Sequence, residues 1–167
     1  MKLIFALLVC MISFNSISAV KVGIVNIQKI IVSIKEGKAV DSTLKKSFEK
    51  KQKEIKKEED SIRKLQEKFQ KQTAVLSEAA KAKKGAEIRE KIEAVRAKMM
   101  KYQKEIQKQE AELKKPILEK LSPIIDKVAV DEKIDLTFEV TQAPVHALNK
   151  VDLTDKVVKA YDAKHSK

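Results

Sequence analysis

Residues 88–113, IREKIEAVRAKMMKYQKEIQKQEAEL, decide the fold of this chain. Their apolar residues recur in steps of four and three, interrupted by one polar position at Gln109. A strict seven-residue spacing of this kind predicts a helix that coils around a partner helix with a left-handed twist. The apolar members of this seam are Ile88, Ile92, Val95, Met99, Tyr102, Ile106 and Leu113.

A second seam precedes the first one in the sequence. It is thinner, because polar residues such as Lys51, Glu58 and Gln72 occupy intermediate positions in it. Its seven-residue steps run through Phe48, Ile55, Ile62, Phe69 and Leu76. Two seams in one chain predict two helices that pack against each other. We therefore expect an antiparallel helical hairpin, the arm, over residues 41–115, with helices of about 37 residues and roughly 55 Å each.

The position of the reversal is predicted from the segment between the seams. This segment, residues 77–85, ends in Gly85, the sole glycine of the long helical region. Glycine commonly follows the last turn of a helix, so we expect the chain to reverse near Gly85. The alternative is one continuous rod in which Gly85 is tolerated inside the helix.

Residues 20–40 and 116–167 predict a small β-containing body. Residues 21–26 are rich in β-branched side chains and predict a strand, and residues 27–34 predict a short helix before Glu36 and Gly37 break the chain. Pro116 and Pro123 are expected to end the long helical run. Pro116 would also suit the first turn of a new helix over residues 117–130.

The remaining body elements are also short. Residues 134–140 alternate strictly between apolar and polar side chains and predict a half-buried strand, and residues 145–148 predict a third strand. Residues 152–155, DLTD, offer N-cap residues for a closing helix. The predicted fold class is α+β, mostly α, with a long antiparallel coiled-coil hairpin projecting from a small body.

The body is expected to form a homo-oligomer. A unit of this size supports only a few kcal/mol of stability from one core. Two or three strands without further partners also leave edges that invite pairing. Strands from several copies would close the sheet, but the number of copies does not follow from the pattern.

Residues 1–19 are typical of a secretory signal peptide. They combine Lys2, an apolar run over residues 3–12 and a small residue, Ala19, at the expected cleavage site. The apolar run is too short to span a membrane, which takes ~20 residues. The one cysteine, Cys10, lies inside this segment. An exported chain without further cysteine fits a bacterial periplasm.

The positive charge of the chain is concentrated in the arm. Residues 41–115 hold 23 Lys and Arg against 14 Asp and Glu, a net charge of +9 out of +12. Lys81, Lys83 and Lys84 lie at the expected tip and are candidate residues of a diffuse binding surface. This excess predicts attraction to acidic polypeptides, anionic lipid or nucleic acid. The arm has few aromatic residues to stack on bases, so no specific nucleic-acid binding is expected.

The sequence carries no pattern typical of an enzyme. Its two histidines, His146 and His165, have no second histidine at a metal-ligand spacing, and no phosphate-binding loop or nucleophile elbow is present. The run Glu58, Glu59 and Asp60 is better explained by surface pairing with neighbouring lysines than by acid–base catalysis. We therefore predict no catalytic residue, no metal and no cofactor.

The order of these elements resembles the Skp/OmpH family of periplasmic chaperones across nearly the whole chain after residue 19. The more specific pieces are the segment VGIVN at 22–26, the segment KEGKA at 35–39 and the segment DLTD at 152–155. Phe138 and Glu139 depart from the small aliphatic strand that is usual in the family.

The resemblance implies a trimer whose strands form a β-barrel body and whose arms enclose a cavity. It also implies a periplasmic holdase that keeps unfolded outer-membrane proteins soluble without ATP. Gly37 and Pro116, at the base of the arm, and Gly85 are hinge candidates. The alternatives are a structural coiled-coil protein that bridges the envelope, and a protein that binds anionic lipid or lipopolysaccharide.

Overall fold

The computed structural model describes residues 20–165, and the predicted signal peptide lies outside this range. The elements are β1 (Val22–Val25), α1 (Ile27–Ser33), α2 (Lys35–Gln72), α3 (Glu78–Asp131), β2 (Leu136–Glu139), β3 (Lys150–Asp152) and α4 (Thr154–His165). Short 3-10 turns at Thr73–Val75 and Val140–Gln142 follow α2 and β2. The predicted fold class is confirmed, since a long helical hairpin extends from a small body with three strands.

The chain reverses at residues 73–77, so the prediction of a reversal near Gly85 is wrong. Leu76 and Ser77 adopt extended backbone, and the Ser77 hydroxyl accepts a hydrogen bond of 3.3 Å from the Ala80 backbone amide. Serine starts a helix well because its side chain satisfies one of the free amides of the first turn. Gly85 lies inside α3, where a glycine costs about 1 kcal/mol but does not end a helix.

Helix α3 continues through Pro116 and Pro123, contrary to the prediction that these residues end the helical run. The reason lies in the stripe Ile117, Leu121, Ile124 and Val128, which is buried in the body core. Burying each of these side chains stabilises the helix by about 1.5–3 kcal/mol, which offsets the hydrogen bonds that proline removes. A single helix therefore joins the arm to the body.

The break before the arm falls at Ile34, not at Glu36 and Gly37. Helix α1 ends at Ser33, Ile34 adopts extended backbone with its side chain fully buried, and α2 begins at Lys35. Gly37 therefore lies in the first turns of α2. The buried side chain of Ile34 holds the two helices at their junction.

The sheet is parallel, with the strand order β2-β1-β3. Its third strand is Lys150–Asp152, so the prediction of a strand at residues 145–148 is wrong. The fully buried Leu153 fixes β3, because its amide donates a 2.8 Å hydrogen bond to the Ile24 carbonyl. Val145 and Leu148 are instead exposed in the connection from β2 to β3.

The two segments that flank the arm in the sequence meet in the body. The Asn26 side chain caps α1 by accepting a 2.7 Å hydrogen bond from the Lys29 amide, and the Asn26 amide donates to the Thr154 hydroxyl at 3.0 Å. Thr154 begins α4, whose Val157 and Tyr161 are fully buried against α1 and α3. The body core therefore combines residues from both ends of the described chain.

Lys133→Gly is expected to raise the free energy of unfolding by about 0.5–1 kcal/mol. Lys133 follows α3 with a φ of 55°, a left-handed conformation that costs residues with a Cβ about 1 kcal/mol and that glycine adopts freely. Urea unfolding at fixed protein concentration measures the change. In the control, Ala111→Gly, at an exposed position inside α3, is expected to lower the stability by about 1 kcal/mol. A loss of stability in Lys133→Gly would contradict the prediction.

Candidate functional site

The two arm helices pack around a short apolar cluster. Ile55 and Ile62 of α2 and Val95 of α3 are buried together, with Ile92 and Tyr102 packed against them. The contact between α2 and α3 excludes the continuous rod and confirms the predicted hairpin. The predicted seam is only partly closed, because Phe48 is 53% exposed and Met99 is 48% exposed.

A set of polar side chains closes one flank of the arm. The Tyr102 hydroxyl donates a hydrogen bond to Glu54, Lys51 pairs with Glu105, and Lys98 Nζ lies 2.5 Å from Glu58 Oε1. The ammonium group of Lys51 also lies 4.2 Å from the centroid of the Tyr102 ring, within the range of a cation–π contact. We call these six residues the polar ladder. In the sequence, Lys51 and Glu58 interrupt the apolar seam of α2, but in the structure each pairs with a residue of α3.

The contacts in the polar ladder shift the pKa values of four of its members. The hydrogen bond from Tyr102 lowers the pKa of Glu54, and the same bond raises the pKa of the Tyr102 hydroxyl. The hydrogen bond from Lys51 lowers the pKa of Glu105, and the carboxylate partner of Lys98 raises the pKa of that ammonium. These shifts favour the charged forms of Glu54, Glu105 and Lys98 and the neutral form of Tyr102.

The opposite flank of the arm is open. A groove of about 700 Å³ runs along it, with Ile55 and Met99 as its apolar lining. Acidic and basic side chains of α2 surround these two residues, namely Glu49, Lys53, Lys56, Glu59, Asp60 and Arg63. On this flank the arm therefore presents the exposed side chain of Met99 within a rim of acidic and basic side chains, while Ile55 is mostly covered.

The three tip lysines lie in the first turns of α3, close to the reversal of the chain. Lys81 Nζ lies 2.7 Å from Glu78 Oε1, and Lys84 Nζ donates a 3.2 Å hydrogen bond to Gln72 Oε1 on α2. The side chain of Lys83 is exposed. Lys84 therefore contacts the opposite arm helix, while Lys83 extends into solvent.

The hinge candidates occupy three different environments. Gly37 packs against α1, Gly85 lies in α3 with only Arg89 near it, and Pro116 lies in α3 beside the body core. A second groove, of about 410 Å³, lies at the arm base and is lined by Ile31, Val40 and other residues of α1, α2 and α3. A role as a hinge remains a prediction for all three candidates.

Neither histidine lies in a cluster typical of a catalytic or metal site. His146 is exposed in the connection before β3, and the His165 ring lies 4.9 Å from the Tyr161 ring. Among residues 20–165, no group of three His, Cys, Asp or Glu side chains could hold a metal ion. No helix in that range is long and apolar enough to cross a membrane.

Comparisons with known proteins give one family match and a likeness in fold to a solved structure. Residues 21–161 match the family model described as outer membrane protein (OmpH-like). The crystal structure of a candidate outer membrane chaperone (OmpH-like) from Caulobacter crescentus CB15 superposes with a TM-score of 0.71. It is 22% identical in sequence, and the match covers 88% of this chain and 86% of that one. No curated protein matches the chain in a sequence search.

Proposed function

This chain belongs to the OmpH-like family, and we propose from this premise that it is a holdase chaperone for unfolded outer-membrane proteins. Membership supports a chaperone role, and the family is not one of enzymes. In the proposed mechanism the chain binds its client without ATP, keeps it from aggregating and releases it for membrane insertion.

The observation that carries the proposal is the arm, a two-helix projection with a net charge of +9. A positively charged surface attracts acidic polypeptides over a distance of about one Debye length, ~8 Å at physiological salt. The exposed side chain of Met99 in the open groove adds apolar contacts. Methionine suits varied partners because its side chain is flexible and polarizable. Many weak contacts of this kind permit both capture and release.

We further propose a homo-oligomer, a trimer by family resemblance, formed through the body. Both outer edges of the sheet, β2 and β3, lack a neighbouring strand within the described chain. Apolar side chains next to these edges are exposed, namely Leu136, Val140, Val145 and Leu148. Open edges and exposed apolar side chains favour association with further copies. Several copies would place their arms around a common cavity that holds the client.

The proposed compartment is the periplasm. OmpH-like chaperones are generally periplasmic. Residues 1–19 add the pattern of a signal peptide, and a client that travels to the outer membrane crosses this compartment. Binding to anionic lipid or lipopolysaccharide through the tip lysines stays a separate prediction, which the exposed Lys83 favours.

The proposed function is tested by the aggregation of a denatured β-barrel membrane protein, diluted from urea and followed by light scattering. We expect near-stoichiometric amounts of the protein to suppress scattering at low salt. Suppression should weaken at 1 M salt, because the Debye length shrinks to about 3 Å. No suppression at low salt would overturn the proposal.

A triple variant tests the tip lysines in the same assay. Neutralising Lys81, Lys83 and Lys84 to glutamine should weaken suppression about fivefold, since three charges near the surface contribute about 1 kcal/mol together. The control neutralises three exposed lysines of the body away from the sheet edges, Lys133, Lys159 and Lys164. Equal loss in both variants would show that net charge matters and that the tip position does not.

Placing charges on the β2–β3 connection should break the oligomer. The double substitution Val145→Asp and Leu148→Asp introduces two carboxylates where we propose that copies meet, and burying an unpaired charge is strongly unfavourable. We expect light scattering after size exclusion to report a monomer with unchanged helix content. Val75→Asp, at the exposed turn of the arm, is the control and should leave the mass unchanged. An unchanged mass of the double variant would contradict the proposed interface.

A further inference from the structure

One section of α3 at the arm base lacks part of its own hydrogen bonding. Pro116 and Pro123 have no amide hydrogen, so the carbonyl groups of Glu112 and Glu119, four residues earlier, lose their helical donors. This section lies where α3 passes from the arm into the body. A helix bends most readily at such a position.

Lys120, between the two prolines, reaches across to α2. Its ammonium lies 2.7 Å from Oε1 of Glu36, and the Tyr161 hydroxyl donates a 2.6 Å hydrogen bond to Oε2 of the same carboxylate. Glu36 thereby joins three helices, since Lys120 belongs to α3 and Tyr161 to α4. We call these three residues the brace.

A second contact links α4 to the start of α2. Ile34 precedes α2 but has no side-chain oxygen to cap it, and the Asp162 carboxylate accepts a 3.0 Å hydrogen bond from the Lys35 amide. A carboxylate at a helix N-terminus also interacts favourably with the helix dipole. Helix α4 therefore holds the first turn of α2 through two neighbouring residues, Tyr161 and Asp162.

The surroundings of the brace keep Glu36 charged. Partial burial by itself would raise the pKa of Glu36, but the hydrogen bonds from Lys120 and Tyr161 together outweigh it and lower the pKa. The Tyr161 side chain is fully buried, and burial is the largest cause of its raised pKa. Charge-assisted hydrogen bonds of this kind are stronger than neutral ones. The buried Tyr161 therefore holds the Glu36 carboxylate in a defined position.

We propose that Glu36 is a positioning residue for the arm. Through Lys120 it supports the proline-weakened section of α3 against α2, and through Tyr161 it fixes both helices to α4. The brace thus sets the angle between arm and body and limits bending at Pro116. This inference goes beyond the holdase proposal and does not depend on it, because the arm angle can be measured without a client.

The test measures a distance between arm and body by pulsed electron–electron spin resonance. Spin labels are attached to cysteines introduced at Met100 in the arm and at Gln28 in α1, which are both exposed. Cys10 is replaced by serine, and labelled chains are mixed with an excess of unlabelled ones so that only distances within a chain are read. Glu36→Gln and Tyr161→Phe are compared with the parent protein.

We expect both variants to shift and broaden the distance distribution while circular dichroism shows unchanged helix content. Asp131→Asn is the matched control, because it removes an exposed ion pair with Lys127 on the same helix without touching the brace. Unchanged distributions in the folded variants, or equal broadening in the control, would overturn the proposal. If Glu36→Gln does not fold, Tyr161→Phe decides alone, since it removes only a hydroxyl.

Discussion

Gly37→Ala is expected to destabilise the protein by about 3 kcal/mol or more. A Cβ at this position would lie 1.7 Å from the carbonyl oxygen of Ile31, which belongs to the backbone and cannot rotate away. Overpacking of a core by one methyl group costs about 1–3 kcal/mol. The cost of a clash with backbone lies at or above the upper end of this range, because backbone atoms cannot move aside as a side chain can. Relief would require α1 and α2 to separate where the arm joins the body.

Gly85→Ala provides the matched control for this prediction. Its Cβ would meet only the end of the Arg89 side chain, at 3.5 Å, which is an ordinary contact. Alanine in the middle of a helix is more favourable than glycine, so we expect a gain of about 0.5–1 kcal/mol. Chemical unfolding of both variants at the same protein concentration measures the difference. A Gly37→Ala variant as stable as the parent would contradict the close packing of α1 on α2.

Leu121→Ala is expected to lower the free energy of unfolding by about 2–5 kcal/mol. Leu121 lies on α3 beyond Pro116, its side chain is 1% exposed, and it belongs to the body core. Truncating a buried leucine removes its transfer free energy and leaves a cavity that the surroundings fill only in part. In a body this small, such a loss removes much of the total stability.

Leu118→Ala, three residues earlier on the same helix, is the control. Leu118 is 44% exposed, so we expect a loss below about 1 kcal/mol. The comparison also tests the orientation of the helix beyond Pro116, because the two losses differ only if Leu121 faces the body core and Leu118 faces solvent. Similar losses in both variants would contradict this orientation.

The hairpin of the arm could be predicted from sequence because its signal is local and periodic. Seven-residue spacing places Ile55, Ile62 and Val95 on one face of each helix, and exposed apolar faces require a partner. In the polar ladder, Lys51 and Glu58 also lie seven residues apart, but charged side chains do not indicate a contact between helices in the way that apolar ones do. Lys51 and Glu58 look like breaks in the apolar seam, since their partners on the other helix are 54 and 40 positions away in the sequence.

The errors at Gly85 and Pro116 have one physical origin. Glycine and proline change local helix propensity by about 1–3 kcal/mol, and tertiary burial can exceed this amount. The cap at Ser77 starts α3 eight residues before Gly85, and the buried stripe beyond Pro116 keeps the same helix intact past a residue that usually ends one.

By itself, the sequence determined the helical hairpin, its positive charge and the parts of a small body, since each depends on spacing and composition along the chain. Only the tertiary structure decided where the chain reverses, which segment forms the third strand, and that Glu36 lies between Lys120 and Tyr161. These three outcomes depend on contacts between distant residues, whose burial and pairing energies exceed the local preferences that a sequence displays.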